Sequence, residues 1–408
     1  MSEFERLRSD RARIRRSFTN IGKKIDAVLT VGRELTDGDL NELTSLFQLL
    51  TVRNDELVGK DSDYLEMLEL DEAKEKELNA EQDKKCYCFH SGACKIFEES
   101  PDPILIDGGF STELSRHINE RIDGHPLWTA RFLITDKEAC ISAHRGFIKA
   151  GAKIIRTNSY QASADGFIKH MGVPSAEAIK PIVDSVAFCR KAMELENNSD
   201  VIIGGSIGPI GALRGDGSEY SGKYCNDLTP QEYMCLHRHR VDALVNSGVK
   251  LLCFETIPCS SEALALVELL KQYPNVRAWV SFSCRNDHQI SNGEIFAKVA
   301  AQCWKEGKDQ LVAVGVNCMD PYWVSTLFKE LKNLDSTVPF VAYPNSGERY
   351  DTVIKEWVQG ENKKVIADYV QEWLEMGIKY VGGCCRNSSN EIKDIGAVIN
   401  KWKEVNRS

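Results

Sequence analysis

The residue types best suited to chemistry in this chain are three cysteines. Cys384 and Cys385 stand side by side in YVGGCCRNSS (380–389), and Cys318 closes the run LVAVGVNC. Neighbouring cysteines cannot easily bridge each other, because disulfide geometry wants their Cα atoms well apart. They read either as structural thiols on opposite faces of a strand or as thiolates reaching one metal. Free cysteine is among the most buried residue types, so Cys140, Cys189, Cys235, Cys253 and Cys303 read as ordinary packing. The trio differs: glycines precede it in GVNC and GGCC, and each member sits where an apolar run stops. Three protein thiolates that leave a fourth position open are the signature of a catalytic Zn²⁺, and sulfur ligation disfavours Mg²⁺ and Ca²⁺. A second group, Cys86, Cys88, His90 and Cys94 in CYCFHSGAC, lacks the spacing of zinc ribbons and reads first as free thiols in a linker.

Something must bring Cys318 to the distant pair. From Pro103 onward, short apolar runs alternate with helix-length segments. The runs are PILIDGGF, AKIIRTNSY, DVIIGGSIGP, VKLLCFET, AWVSFSC, LVAVGVNC, PFVAYPNSG and YVGGCC. Most are apolar through their middles, as strands buried on both faces should be. Eight such units predict an α/β fold, a (β/α)8 TIM barrel, with an open doubly wound sheet as the competing architecture. Polar or reactive residues end the runs: Asp107, Asn158, Glu255, Asn317 with Cys318, Asn345 with Ser346, and Cys384 with Cys385. In a barrel these carboxyl ends meet on one face, where barrel active sites lie. Strands six and eight would be separated by a single neighbour, so the three thiolates can converge. His237 and His239, in CLHRHR, read as part of a solvated helix without a catalytic role.

The leading segment has another character. All 12 prolines and all 7 tryptophans lie at or beyond Pro101, which divides the chain into residues 1–100 and 101–408. Phe4, Leu7, Ile14, Phe18, Ile21, Ile25 and Val28 form a stripe at alternating steps of three and four that Arg11 interrupts. It fits a helical hairpin without chemistry, or self-association through residues 1–30. The net charge of −9 argues against general affinity for nucleic acid or anionic membrane. No run approaches the ~20 apolar residues of a membrane span, and the charged opening MSEFERLRSD is unlike a secretory signal. With 14 cysteines, that context predicts a reducing, cytoplasmic compartment.

ILIDGGFSTEL, LWTARFL, GSIGPIGALRGDGSEYSGKY, FETIP, GVNC, YPNSGERYD and GGCCR occur in an order that resembles the zinc-dependent homocysteine S-methyltransferases, over residues 103–402. FETIP and YPNSGERYD resemble the branch using S-methylmethionine or S-adenosylmethionine more than the betaine branch. The resemblance implies one Zn²⁺ on Cys318, Cys384 and Cys385, methyl transfer from a sulfonium to the thiol of homocysteine, and an amino-acid pocket at Asp107 and Glu255. Thr256 stands where the betaine branch has a tyrosine that reaches the metal, so water is the expected fourth ligand. Ile210 replaces an aromatic residue common in relatives. Trp128 and Tyr160 are expected to touch the donor, Asn317 to support the cysteines, and Ser346 with Glu348 to shape the donor site. The contrasting expectation is a zinc-holding barrel without turnover that works through its helical leading segment.

Overall fold

The computed structural model describes residues 102–351, 356–358 and 364–406. The leading stripe and the Cys86–Cys94 group lie outside the described residues.

Eight parallel strands form the centre: β1 Ile104–Leu105, β2 Ile154–Arg156, β3 Ile202–Ile207, β4 Leu251–Ile257, β5 Arg277–Phe282, β6 Leu311–Asn317, β7 Phe340–Tyr343 and β8 Tyr380–Val381. They match the eight apolar runs in order. Around the sheet β1 pairs with β8, and the order then descends from β7 to β2. A parallel bridge between Ile106 and Ile154 joins β1 to β2 and closes the ring. The fold is a (β/α)8 barrel. Helices lie in the connections, among them Ser260–Leu270 after β4 and Val324–Leu334 after β6. A short antiparallel ribbon, Arg349–Asp351 with Glu356–Val358, extends the chain after β7.

Side-chain alternation divides the core. Ile104, Ile106, Ile154, Ile202, Leu251, Cys253, Trp279, Ala313, Val341 and Tyr343 pack together inside the barrel. Leu105, Ile155, Leu252, Phe254, Val280 and Val314 belong to the larger core between sheet and helices. The period of two is the pleat of the strand. Trp279 is wholly buried and meets Tyr343 edge-on, ring centroids 5.9 Å apart. Truncating such a side chain costs roughly 3–5 kcal/mol. The alternation also positions the chemistry. Two residues on from Ile154 comes Arg156, and two on from Cys253 comes Glu255. Trp279 leads in the same way to Ser281, and Ala313, through Gly315, to Asn317. The apolar plug is thus capped by an inward-facing polar layer at the carboxyl end.

Candidate active site

Cys318 follows β6, and Cys384 and Cys385 follow β8, with only β7 between them in the ring. Their sulfurs all lie within 4.8 Å of one another, and Cys318 Sγ is 3.6 Å from Cys385 Sγ. Backbone contacts hold them there. The Cys318 amide donates to the Tyr343 carbonyl at 3.2 Å, and the Cys384 amide to the Pro344 carbonyl at 2.7 Å. Glycines before the pair and after β1 let backbone meet backbone. A Cβ on Gly109 would lie 2.3 Å from the Cys384 carbonyl oxygen, and one on Gly382 would lie 2.8 Å from that of Asp107.

The donor set fits a thiophilic cation. Zn–S bonds of about 2.3 Å in a tetrahedron put sulfurs about 3.8 Å apart, close to the spacing present. Hydrogen bonds from Cys318 and Cys385 pull the Cys384 thiol well below its ordinary value, whereas the bond to Cys384 pushes Cys318 up and the bonds to Cys318 and Cys384 push Cys385 up. Three thiolates at this spacing would repel strongly without a cation among them. Tyr220 adds a phenol from the loop after β3, its hydroxyl 3.2 Å from Cys318 Sγ. That residue keeps 41% of its surface exposed, so it stands at the mouth.

A carboxylate cluster lies on the neighbouring arc. Asp107 and Glu255 are both buried, and both hold Arg156. Arg156 Nε donates to Asp107 Oδ1 at 2.6 Å and Nη1 to Glu255 Oε2 at 2.7 Å. Its backbone amide reaches Asp107 Oδ2 at 2.7 Å, and Nη2 serves the carbonyls of Gly108 and Gly383 at 2.8 and 3.0 Å. Its guanidinium also lies over the Tyr343 ring, 4.5 Å from the centroid. Two carboxylates against one guanidinium leave one negative charge. Burial raises the Asp107 carboxyl to about 6 although Arg156 pulls it down, and burial raises Glu255 for the same reason. Burial alone would lower the Arg156 ionisation, but the two carboxylates drive it well above its ordinary value. Ser206 Oγ donates to the other Glu255 oxygen.

The other expected site residues fall around these two groups. Asn317 is fully buried, and its amide is used within the protein. Its Oδ1 accepts from the Thr256 amide at 2.7 Å and from Ser281 Oγ at 2.8 Å, and its Nδ2 donates to Thr256 Oγ1 at 2.8 Å. These bonds fix Thr256 at φ +62°, a left-handed conformation that costs a β-branched residue about 1–3 kcal/mol. Trp128 and Cys318 also have positive φ, at +45° and +52°. Trp128 donates its indole N–H to Asp123 at 2.9 Å and meets Tyr160 edge-on at 6.2 Å. The Ser346 amide donates to the Cys385 carbonyl at 3.2 Å, and its hydroxyl to Glu348, which pairs with Arg386.

The matching family model is that of homocysteine S-methyltransferase, over residues 104–399. The chain belongs to the homocysteine S-methyltransferase family. It is 38% identical over 301 residues to the betaine-homocysteine S-methyltransferase of Drosophila melanogaster, covering 70% of this chain and 90% of that protein. It is also 38% identical over 305 residues to the homocysteine S-methyltransferase of Escherichia coli, covering 73% and 96%. Among solved structures, the metallated form of the homocysteine methyltransferase MmuM from Escherichia coli superposes with a TM-score of 0.64 at 32% identity, over 74% of this chain and 98% of that one. Among the described residues, Cys318, Cys384 and Cys385 are the group that could hold a metal in this family member.

Two site residues escaped the sequence reading. Arg156 was passed over within AKIIRTNSY, although a lone cation inside an apolar strand run is itself a signal that a buried anion awaits it. Tyr220 sits in a loop without periodicity, and nothing in GSEYSGKY ties it to a particular sulfur. Two expectations need correction. His237 is not solvated: it is wholly buried, 2.8 Å from Glu262 and 2.7 Å from Arg240. Its neighbour His239 is exposed, and the helix Pro230–Asn246 turns its His237 side inward. Cys235, expected in the core, is exposed on that same helix.

Proposed function

We propose that this chain transfers a methyl group from a sulfonium, S-methylmethionine or S-adenosylmethionine, to the thiol of L-homocysteine, forming methionine, with one zinc ion on Cys318, Cys384 and Cys385. The observation that carries this reading is the placement of two complementary receptors at one barrel mouth. Three converging thiols suit a metal that takes a sulfur ligand, and the Asp107–Arg156–Glu255 cluster keeps one negative charge for an ammonium. An amino acid with a terminal thiol answers both.

The protein groups have separate tasks in this proposal. Glu255 and Asp107 hold the acceptor ammonium, and their burial strengthens that contact because water does not compete. Arg156 offsets part of the cost of ionising the two buried carboxyls and keeps them pointed inward before any ligand arrives. Asn317 pins Thr256 and so fixes the end of β4, where Glu255 sits. Cys318, Cys384 and Cys385 would hold the zinc, which when bound lowers the pKa of an alkyl thiol and leaves its sulfur nucleophilic. Orientation then does much of the work, since transfer needs sulfur, methyl carbon and leaving sulfur in line. A cytoplasmic location fits the thiol chemistry.

The test is methionine formation from homocysteine with S-methylmethionine, S-adenosylmethionine or betaine, alongside metal analysis. Turnover with a sulfonium, lost on chelation and restored by zinc, is the expected result. Turnover with betaine alone overturns the donor assignment. A zinc-loaded protein that turns over none of the three is the barrel without activity.

A further inference from the structure

Behind the barrel mouth, the helices Pro230–Asn246 and Ser260–Leu270 bury a polar chain that the proposed chemistry does not use. Glu262, His237 and Tyr224 are wholly buried, and Arg240 nearly so. Glu262 Oε1 accepts from the Ile210 amide at 2.7 Å and lies 2.8 Å from His237 Nε2. Its Oε2 accepts from the Tyr224 hydroxyl at 2.5 Å. Arg240 Nη2 lies 2.7 Å from His237 Nδ1 and 2.8 Å from the Gly208 carbonyl oxygen. A guanidinium can only donate, so Nδ1 accepts and Nε2 turns its proton toward Glu262. Burial lowers the His237 ionisation, in keeping with that neutral ring.

Gly208, Ile210 and Tyr224 all belong to the connection that leaves β3. Glu262 thus ties the start of that loop to its far end. Between the two ties the loop packs on itself without slack. A Cβ on Gly211 would lie 2.6 Å from the Tyr224 ring and 2.7 Å from the Glu219 amide nitrogen. The Glu219 carbonyl in turn accepts from Ser283 Oγ, just past β5, at 2.8 Å. The next residue is Tyr220, whose hydroxyl stands 3.2 Å from Cys318 Sγ.

Apolar contacts and backbone bonds are enough to hold an ordinary loop, and a buried carboxyl, imidazole and guanidinium are costly to desolvate. What their directional bonds add is a fixed position, and the group they fix at the thiols is Tyr220. With Cys318 ionised on a metal, only the phenol can donate. A hydrogen bond to a ligand sulfur offsets part of the negative charge that several thiolates gather on one ion.

We infer that Glu262 is a positioning residue for the thiol centre: by tying Ile210 to Tyr224 it holds the Tyr220 hydroxyl on the Cys318 sulfur, and that bond strengthens the hold of the three cysteines on their metal. The inference rests on the zinc reading proposed above.

The experiment measures zinc affinity of the full-length protein by competition with a chromophoric chelator, with and without saturating homocysteine. Tyr220→Phe should bind zinc about tenfold or more weakly, the usual cost of removing a partner from a metal ligand. Glu262→Gln should lose a similar factor, and the double variant should match Tyr220→Phe within about twofold, because both changes remove the same bond. Cobalt(II) in place of zinc gives a second reading. Its sulfur-to-metal charge-transfer band should move to longer wavelength in both single variants, since a sulfur that loses a donor gives up electron density more easily. A Glu262 that serves the fold alone would lower the urea stability of the metal-free protein and leave affinity and band unchanged. Should Glu262→Gln not fold, Tyr224→Phe keeps the ring against Gly211, deletes one donor to Glu262, and should show the same non-additive loss. Zinc held equally well by wild type and Tyr220→Phe, losses that add in the double variant, or an unmoved band in Glu262→Gln overturns the inference. A loss that vanishes with homocysteine bound also overturns it, because Tyr220 would then be a displaceable ligand. A wild type that takes up no zinc defeats the proposed function itself, and the inference falls with it.

Discussion

Two charged groups face each other at the barrel mouth, and they are built in opposite ways. The carboxylates of Asp107 and Glu255 fold together with their counterion, since Arg156 rises from the adjoining strand and spends its side-chain donors on them and on two carbonyls. Among the described residues, the three thiols hydrogen-bond to one another and to the Tyr220 hydroxyl, and no side-chain cation bonds to them as Arg156 bonds to the carboxylates. The first group is therefore complete as soon as the barrel closes and keeps one spare negative charge. The second reaches its fully ionised form only with a cation from outside. Part of the recognition is thus intrinsic to the fold, and part is conditional on metal.

The largest expected effect breaks the conditional half. Cys384→Ala should reduce zinc from about one per chain to under about a tenth, and methionine formation should fall at least about a hundredfold. Its unfolding free energy should nevertheless match that of metal-free wild type within about 1 kcal/mol, because Cys384 is half-buried and its loop is held by backbone bonds. Metal analysis and urea unfolding of both proteins read this out. Full zinc content in the variant would remove Cys384 from the ligand set.

The intrinsic half should respond in the reverse manner. Arg156→Met leaves two buried carboxylates without their counterion, and breaking such a pair costs about 3–5 kcal/mol. Urea unfolding should show that loss with or without zinc. A variant as stable as wild type would mean that the carboxylates are protonated or hydrated, and that Arg156 is not what holds them.

The same contrast explains what the sequence made legible. Strand runs with apolar middles reveal a barrel because the pleat and two-sided burial dictate composition, and reactive residues at run ends reveal a common face. The cysteines are legible because adjacent thiols after a glycine pair have few structural uses. Glu255 is legible only as an acid at a strand end. That it shares Arg156 with Asp107 depends on strands β1, β2 and β4 pointing their side chains to one axis. No local pattern encodes this. His237 shows the limit from the other side: its surroundings in CLHRHR are polar, yet a single helical face carries it beside Glu262 in the interior.

A milder change probes the spare charge. Glu255→Gln keeps an oxygen for Arg156 but would turn the proposed charge-assisted contact with the acceptor ammonium into a neutral one. Homocysteine binding should weaken by about 1–2 kcal/mol, roughly tenfold, with zinc content and donor affinity unchanged. Titrations of homocysteine and of each donor check this, and an equal loss for both would place Glu255 outside the amino-acid pocket.

The smallest effect separates folding from binding at the same residue. Burial holds the Asp107 carboxyl at about 6, above the usual aspartate value of 3.8. A group raised on folding binds its proton more tightly in the native state. Its contribution to stability is therefore present at low pH and is lost as pH rises through about 6. Ammonium binding runs the other way, since it requires the ionised carboxylate. Methionine is the convenient ligand: its thioether does not titrate, and its ammonium stays charged throughout. Between about pH 7 and 6, methionine affinity for the metal-loaded protein should fall about twofold, while the Asp107 contribution to unfolding free energy rises. Asp107→Asn should flatten both trends, so the difference between variant and wild type isolates them from other titrating groups. If affinity and stability instead fell together with pH, the Asp107 proton would be bound more weakly in the native state, and Arg156 rather than burial would set its ionisation.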